Sequence, residues 1–356
     1  MELLHAQVVW AASEAHPDTT QSISMTSIGQ NARRKLWHVC KDMPILPLLL
    51  LSFLLSMLFV PHFCTAYNLK NYLLQSADLL IISCGLTFVV LNGGIDFSVT
   101  SVLTLGSVVG AYIMALSPLA SMPVYSIPAA VVAMMGIGLV VGVANGLAVT
   151  QLRMPSFIAT LATQLIILGI AVQFTSMVSE TSSIAGLPEP FFVLGGEGKY
   201  FIVPVGIALA VWLFSHWLLT RTLFGRWVFA IGVNPKTAFI SGIPVKKTIV
   251  WLMVICGLLA GIASIIATAR NQVGMSSLGD KMFLTTIASV IVGGTSTAGG
   301  FGGVHKTLLG VLFITLINNT MNLLGVGWYT IMIVLGALIV LSAMSTYLVN
   351  RRALRA

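Results

Sequence analysis

Charge is what this chain has least of. Only 8% of its 356 residues are charged and ten are acidic, whereas about a quarter of a soluble domain is charged. With 57% hydrophobic residues and a mean hydropathy of +0.98, that scarcity excludes a water-soluble globular chain. It leaves a polytopic membrane protein, whose unit is the apolar stretch of ~20 residues that crosses ~30 Å of hydrocarbon as a helix. Cysteine is sparse as well. Cys40, Cys64, Cys84 and Cys256 show no paired spacing, so neither a disulfide framework nor a metal site is expected; Cys84 and Cys256 lie in apolar runs, where a thiol acts as a small hydrophobe. Also lacking are a paired acid, or a serine with a base at membrane depth, which excludes an intramembrane enzyme. The net charge of +8 comes without the basic patch and interleaved aromatics that nucleic-acid binding needs.

What is present is a series of apolar runs. Residues 1–42 are polar and irregular, lack the order of a signal peptide, and are expected to be a flexible cytoplasmic tail. Ten spans follow: 43–60, 74–91, 99–117, 124–149, 156–177, 201–219, 248–268, 283–292, 307–324 and 328–349. The eighth is too short to cross alone, so the expected fold is an all-α transmembrane bundle of about ten spans with one short or broken helix. Alternating these segments puts Arg33, Arg34, Lys35, Lys41, Arg153, Arg221, Arg226, Lys236, Lys246, Lys247, Lys306, Arg351, Arg352 and Arg355 on one side. The other side receives Lys70, Lys199, Arg270 and Lys281. Fourteen against four sets both termini in the cytoplasm by the positive-inside rule. The resulting organisation is a tail (1–42), a transmembrane domain (43–349) with its longest inner loop at 221–247, and a cytoplasmic C-terminal tail (350–356).

Glycine carries two kinds of signal. Gly138, Gly142 and Gly146 recur every fourth residue, and Gly106 with Gly110 and Gly257 with Gly261 repeat the spacing; such small-residue faces let helices approach closely. The stretch "GFGGVHKT" from Gly300 falls one substitution short of a phosphate loop. The loop needs glycine where His305 stands so that backbone amides can wrap a phosphate, and its flanks here are membrane segments, so a glycine-rich turn is the better reading.

Polar groups inside apolar runs cost energy and usually face the bundle interior, a partner or a water-filled path. Gly93 and Gly94 break one run and Asp96 with Ser98 opens the next. This pattern suits an N-terminal cap, with a carboxylate accepting amide hydrogen bonds near the positive end of the helix dipole; it also suits a solute or ion site in a broken transporter helix. The cap is preferred. "VIVGGTSTAGGFGGVHKTLLG", Val290 to Gly310, repeats the theme loosely: apolar run, paired glycines, hydroxyl residues, apolar run. Interrupted segments in two halves of a chain point to a transport path. Inside the fifth and ninth spans, Thr160, Gln164, Asn318, Asn319 and Asn322 serve either as interhelical hydrogen-bonding groups or as solute contacts.

Four motifs in order then carry a resemblance: "GGIDFSV" (93–99), "FGRWVFAIGVNPKTAFISGIPVKK" (224–247), "GGTSTAGGFGG" (293–303) and "NNTMNLLGV" (318–326). They resemble the signatures of permease subunits of ribose-type ABC sugar importers, the second carbohydrate-uptake family, over the chain from about Met43 onward. Thr100 stands where that family usually has glycine, Lys306 where a small residue is usual, and Asp78 where an apolar or small one is. The resemblance implies a multi-pass protein of the bacterial inner membrane that imports a pentose, hexose or related polyol. It implies a cytoplasmic ABC ATPase that consumes ATP, a periplasmic sugar-binding protein, and a second permease copy or homologous permease; this chain itself would bind no cofactor. The basic inner loop, with a stretch Trp227–Ile240 suited to a short one-sided helix and punctuation at Asn234 and Pro235, then looks like the segment that couples to the ATPase. Gly225, Arg226, Asn234, Pro235, Ser241 and Gly242 match the family pattern there. A neutral polyol is oriented by amides and hydroxyls, which makes Thr160, Gln164, Asn318, Asn319 and Asn322 the path candidates. The competing expectation is an ion-coupled secondary transporter that uses Asp96 or Asp78.

Overall fold

A computed structural model describes residues 45–353. The N-terminal tail, with Cys40 and its four basic residues, lies outside the described residues, as do 354–356. Each apolar segment predicted from the sequence contains a helix: α1 Ile45–Phe59, α2 Ala66–Leu91, α3 Val99–Ala115, α4 Pro123–Thr150, α5 Ser156–Val178 and α6 Ile202–Arg221 come first. Two short helices follow in the basic loop, α7 Leu223–Val233 and α8 Pro235–Ile240. Then come α9 Val245–Asn271, α10 Asp280–Val292, α11 Val304–Leu323 and α12 Trp328–Ala353. Among the described residues the helices are interrupted by a two-residue pairing, Ser183–Ile184 antiparallel with Gly274–Met275 and Ser183 opposite Met275, and by two 3-10 turns, Glu189–Gly195 and Gly198–Phe201, that precede α6. By length and composition α2, α4, α5, the Glu189–Arg221 stretch and α9 are sufficient to cross a membrane.

Apolar residues lie on both the inside and the outside of this bundle. α2 is buried almost throughout from Leu74 to Leu91, whereas α4 and α5 present Val132, Val140, Leu165 and Ile166 outward, each more than 60% exposed. So large an apolar exterior would be untenable in water and matches a surface solvated by lipid tails. With little hydrophobic force between helices in that medium, association rests on close packing and interhelical hydrogen bonds. The packing is closest between α4 and α9. A β-carbon at Gly138 would collide with the carbonyl of Gly257, and Gly142 and Gly146 lie against the backbone at Met253 and Val250, so the four-residue glycine spacing forms the contact. Hydrogen bonds tie α9 to α3: Ser264 of α9 donates to the Leu103 carbonyl of α3 at 2.8 Å and Thr268 to Ser107 Oγ at 2.8 Å.

Candidate functional site

The Gly93–Ser98 segment turns the chain from α2 into α3. Gly93, at φ +78°, and Gly94 return their amides to Val90 and Val89 and close α2. Asp96, 2% exposed, accepts from the Ser98 amide at 2.8 Å and from the Ser98 hydroxyl at 2.6 Å. The Ser98 oxygen accepts from Asn145 Nδ2 of α4 at 2.7 Å, and Asn145 Oδ1 accepts from Thr163 of α5 at 2.7 Å. One chain of hydrogen bonds thus ties three helices to the carboxylate, and the Cys256 thiol of α9 faces it as well. The cap differs in detail from the sequence expectation: Ser98 is the residue before the first helical one, and Asp96 holds it by a turn two residues long. Thr160 belongs to this brace. Its oxygen accepts from the Phe97 amide at 3.1 Å and lies 3.1 Å from the Ile95 carbonyl, so the structure puts its hydroxyl on backbone and not on the cavity described next.

That cavity, of about 290 Å³, lies among Gln75 and Asp78 of α2, Arg270 of α9, Thr285 of α10, Thr315, Asn318 and Asn322 of α11, and Trp328 at the head of α12. Asp78, 1% exposed, forms an ion pair with Arg270 Nη2 at 2.7 Å, and its Oδ1 accepts from the Leu79 amide at 2.9 Å. Removing two charges from water costs several kcal/mol per ion unless their remaining lone pairs and protons are also satisfied. Here they are not. Asp78 Oδ2 makes no hydrogen bond beyond the ion pair, and Arg270 Nε, Thr315 Oγ1 and Asn318 Oδ1 are buried without partners.

The five expected path residues therefore separate. Thr315, Asn318 and Asn322, spaced three and four apart, share one face of α11 and line the cavity. Asn319 lies one residue round the helix, where it exchanges two hydrogen bonds with Asn68 of α2, at 3.0 and 2.8 Å, and joins the helices. Gln164, half-buried on α5, is not among the residues that line the cavity. Sequence reasoning missed Gln75, Thr285, Thr315, Trp328 and the partnership of Arg270 with Asp78. The available signal was the acid itself, since a carboxylate inside a membrane helix requires a partner.

The loop segment is two helices rather than one. Thr222 caps α7 by accepting from the Gly225 amide at 3.2 Å, and Asn234 caps α8 by accepting from the Lys236 and Thr237 amides at 3.0 and 3.2 Å. The break falls at Asn234 because the proline that follows disfavours helical geometry in the residue before it; Asn234 sits at φ −159°, ψ 104°. Phe239 and Ile240 are 72% and 84% exposed beside an apolar groove that Ile243, Pro244 and Val245 complete and Lys236, Lys246 and Lys247 rim. Arg226 and Ser241 are exposed, and Gly242, at φ +79°, donates to the Phe239 carbonyl at 3.0 Å.

At its other face α7 meets both glycine-rich breaks. Gly300 donates to the Leu91 carbonyl at 2.8 Å, and a β-carbon at Gly232 would collide with that carbonyl and the Gly300 amide. The two interrupted segments that echo each other in sequence are therefore neighbours in space. The false phosphate loop is explained here too: the Thr307 hydroxyl is buried 2.7 Å from Thr87 Oγ1, within a helix contact.

Residues 68–343 match the family described as branched-chain amino acid transport system / permease component. The chain is 35% identical over 327 residues to the ribose import permease protein of Escherichia coli strain K12, covering 92% of this chain and 98% of that one. It is 37% identical over 306 residues to the ribose import permease protein of Bacillus subtilis, covering 85% and 91%. Against the D-allose transport system permease protein of Escherichia coli strain K12 it is 34% identical over 291 residues, covering 82% and 86%. No solved structure matches the chain.

Proposed function

The chain belongs to the branched-chain amino acid transport system / permease component family, as an ABC-importer permease and so a transport subunit without an ATPase site of its own, and from that premise we propose that it carries a sugar into the cytoplasm. The solute is a pentose, hexose or related polyol. The observation that supports this is likeness along nearly the whole chain to permeases named for ribose, with others named for D-allose and L-arabinose.

A separate ATPase binds ATP and a sugar-binding protein delivers the solute at the outer face of the bacterial inner membrane. This chain pairs with a second copy or a homologous permease, with both termini in the cytoplasm. The apolar tip of α8, rimmed by lysines, seats on the ATPase. When the ATPase closes, α7 moves against the two glycine breaks, and the helices whose ends meet there rock so that the path opens alternately to each side. No bond in the solute changes, so no residue acts as nucleophile or base. The ion-coupled alternative has less support from the geometry: Asp96 is engaged by Ser98 and Asp78 by Arg270, which leaves neither as a free carboxylate for a proton or sodium ion.

Reconstitution into vesicles separates the two. Labelled sugar is expected to enter only when the ATPase, the binding protein and ATP are all present, and to enter equally after sodium and proton gradients are dissipated. Uptake by the chain alone that collapses with an ion gradient would falsify the importer reading.

A further inference from the structure

The Asp78–Arg270 pair has no evident architectural need, since a buried ion pair adds little stability over apolar residues of the same volume. It is also only half satisfied. Three buried polar atoms on the residues around it, Arg270 Nε, Thr315 Oγ1 and Asn318 Oδ1, have no partner, and buried polar groups in folded proteins are nearly always hydrogen-bonded. The unpaired atoms include donor and acceptor types, and the residues that carry them line one cavity of about 290 Å³, room for about ten waters at ~30 Å³ each, which is the scale of one monosaccharide ring with its hydroxyls. Asp78 lies four residues into the apolar run that begins at Leu74, and Arg270, Asn322 and Trp328 stand at the ends of α9, α11 and α12, so the cavity opens at the outer ends of these helices, where a delivered solute first meets the permease.

Resting on the sugar-permease reading above, we infer that Asp78, Arg270, Asn318 and Asn322 form a solute-binding station within the permease for a neutral monosaccharide presenting adjacent hydroxyls. The carboxylate accepts from one hydroxyl while the guanidinium Nε donates to its neighbour, an arrangement that a vicinal diol completes without separating the charges. Asn318 Oδ1 accepts from a third hydroxyl, and the Trp328 ring at the rim offers an apolar face to the carbon skeleton. The pair is neutral overall, so a zwitterion gains entry only by breaking it.

The test uses the full chain in liposomes with its ATPase and sugar-binding protein. Labelled D-ribose, L-arabinose, D-galactose and L-leucine are offered in turn, and the amount delivered per ATP hydrolysed is measured. Asn318→Ala, Asn322→Ala and the double variant Asp78→Asn with Arg270→Gln, which removes both charges and strands neither, are compared with the unaltered assembly. Sugar delivered per ATP is expected to fall about tenfold in the double variant, the scale of one lost charge-assisted hydrogen bond, and about threefold to tenfold in each asparagine variant, the scale of a neutral one. Binding-protein-stimulated ATP hydrolysis is expected to stay within about twofold, which a mere packing defect would not allow. If the double variant fails to fold, the two asparagine variants decide. Sugar delivery per ATP unchanged in the folded variants overturns the station while leaving the importer intact. Delivery of L-leucine and of no sugar by the unaltered assembly overturns the sugar reading itself, and the polyol class with it.

Discussion

Asn318 and Asn319 are adjacent in the chain and have different surroundings. Asn319 is locked to Asn68 by two hydrogen bonds; Asn318 lines the cavity, and its buried side-chain oxygen has no partner. Asn319→Ala is therefore expected to lower thermal stability by about 0.6–2 kcal/mol, the range of interhelical hydrogen bonds in membranes, without changing transport per folded molecule. Asn318→Ala is expected to melt normally. Melting curves of the two purified variants check this, and a larger loss in Asn318→Ala would refute it. The difference in surroundings was accessible from the sequence, because 318 and 322 share a helical face and 319 lies about 100° away. Arg270 was harder to read. Its pairing with Asp78 joins distant parts of the chain, and a lone arginine at a helix end already had an explanation in the charge rule.

Among elements, helix positions were legible because length and apolarity dictate them in a bilayer, and the break between α7 and α8 was visible as Asn234–Pro235. Two helices in place of one followed from the proline's effect on its predecessor, which the one-sided pattern of Trp227–Ile240 concealed. The α4–α9 contact offers a matched comparison. A β-carbon at Gly136 meets nothing within 4 Å, whereas one at Gly138 strikes the Gly257 backbone. Gly136→Ala is expected to be neutral or to stabilise by about 0.5–1 kcal/mol through helix propensity, and Gly138→Ala to destabilise by about 1–3 kcal/mol through overpacking. Equal melting temperatures for the pair would rule out backbone contact there. Gly232→Val on α7 tests the junction with Leu91 and Gly300: the variant is expected to insert and bind the ATPase but to hydrolyse ATP with little sugar delivered. Intact delivery per ATP would show that the junction transmits nothing.

For the whole molecule, orientation is the first quantity to measure. Cys64 is exposed between α1 and α2, while Cys84 and Cys256 are buried. In cells carrying Cys40→Ser, a membrane-impermeant maleimide is expected to label Cys64 from outside. Labelling that requires broken cells would invert the topology. The meeting of α7, the end of α2 and the 293–303 loop has one more consequence, for the order in which the molecule is made. Chains emerge N-terminal end first, so α2 and α7 are made before Gly300 has been synthesised. The Leu91 carbonyl waits through the synthesis of α3 to α10 for the amide it receives, and a chain truncated before the loop leaves that end of the bundle unlatched.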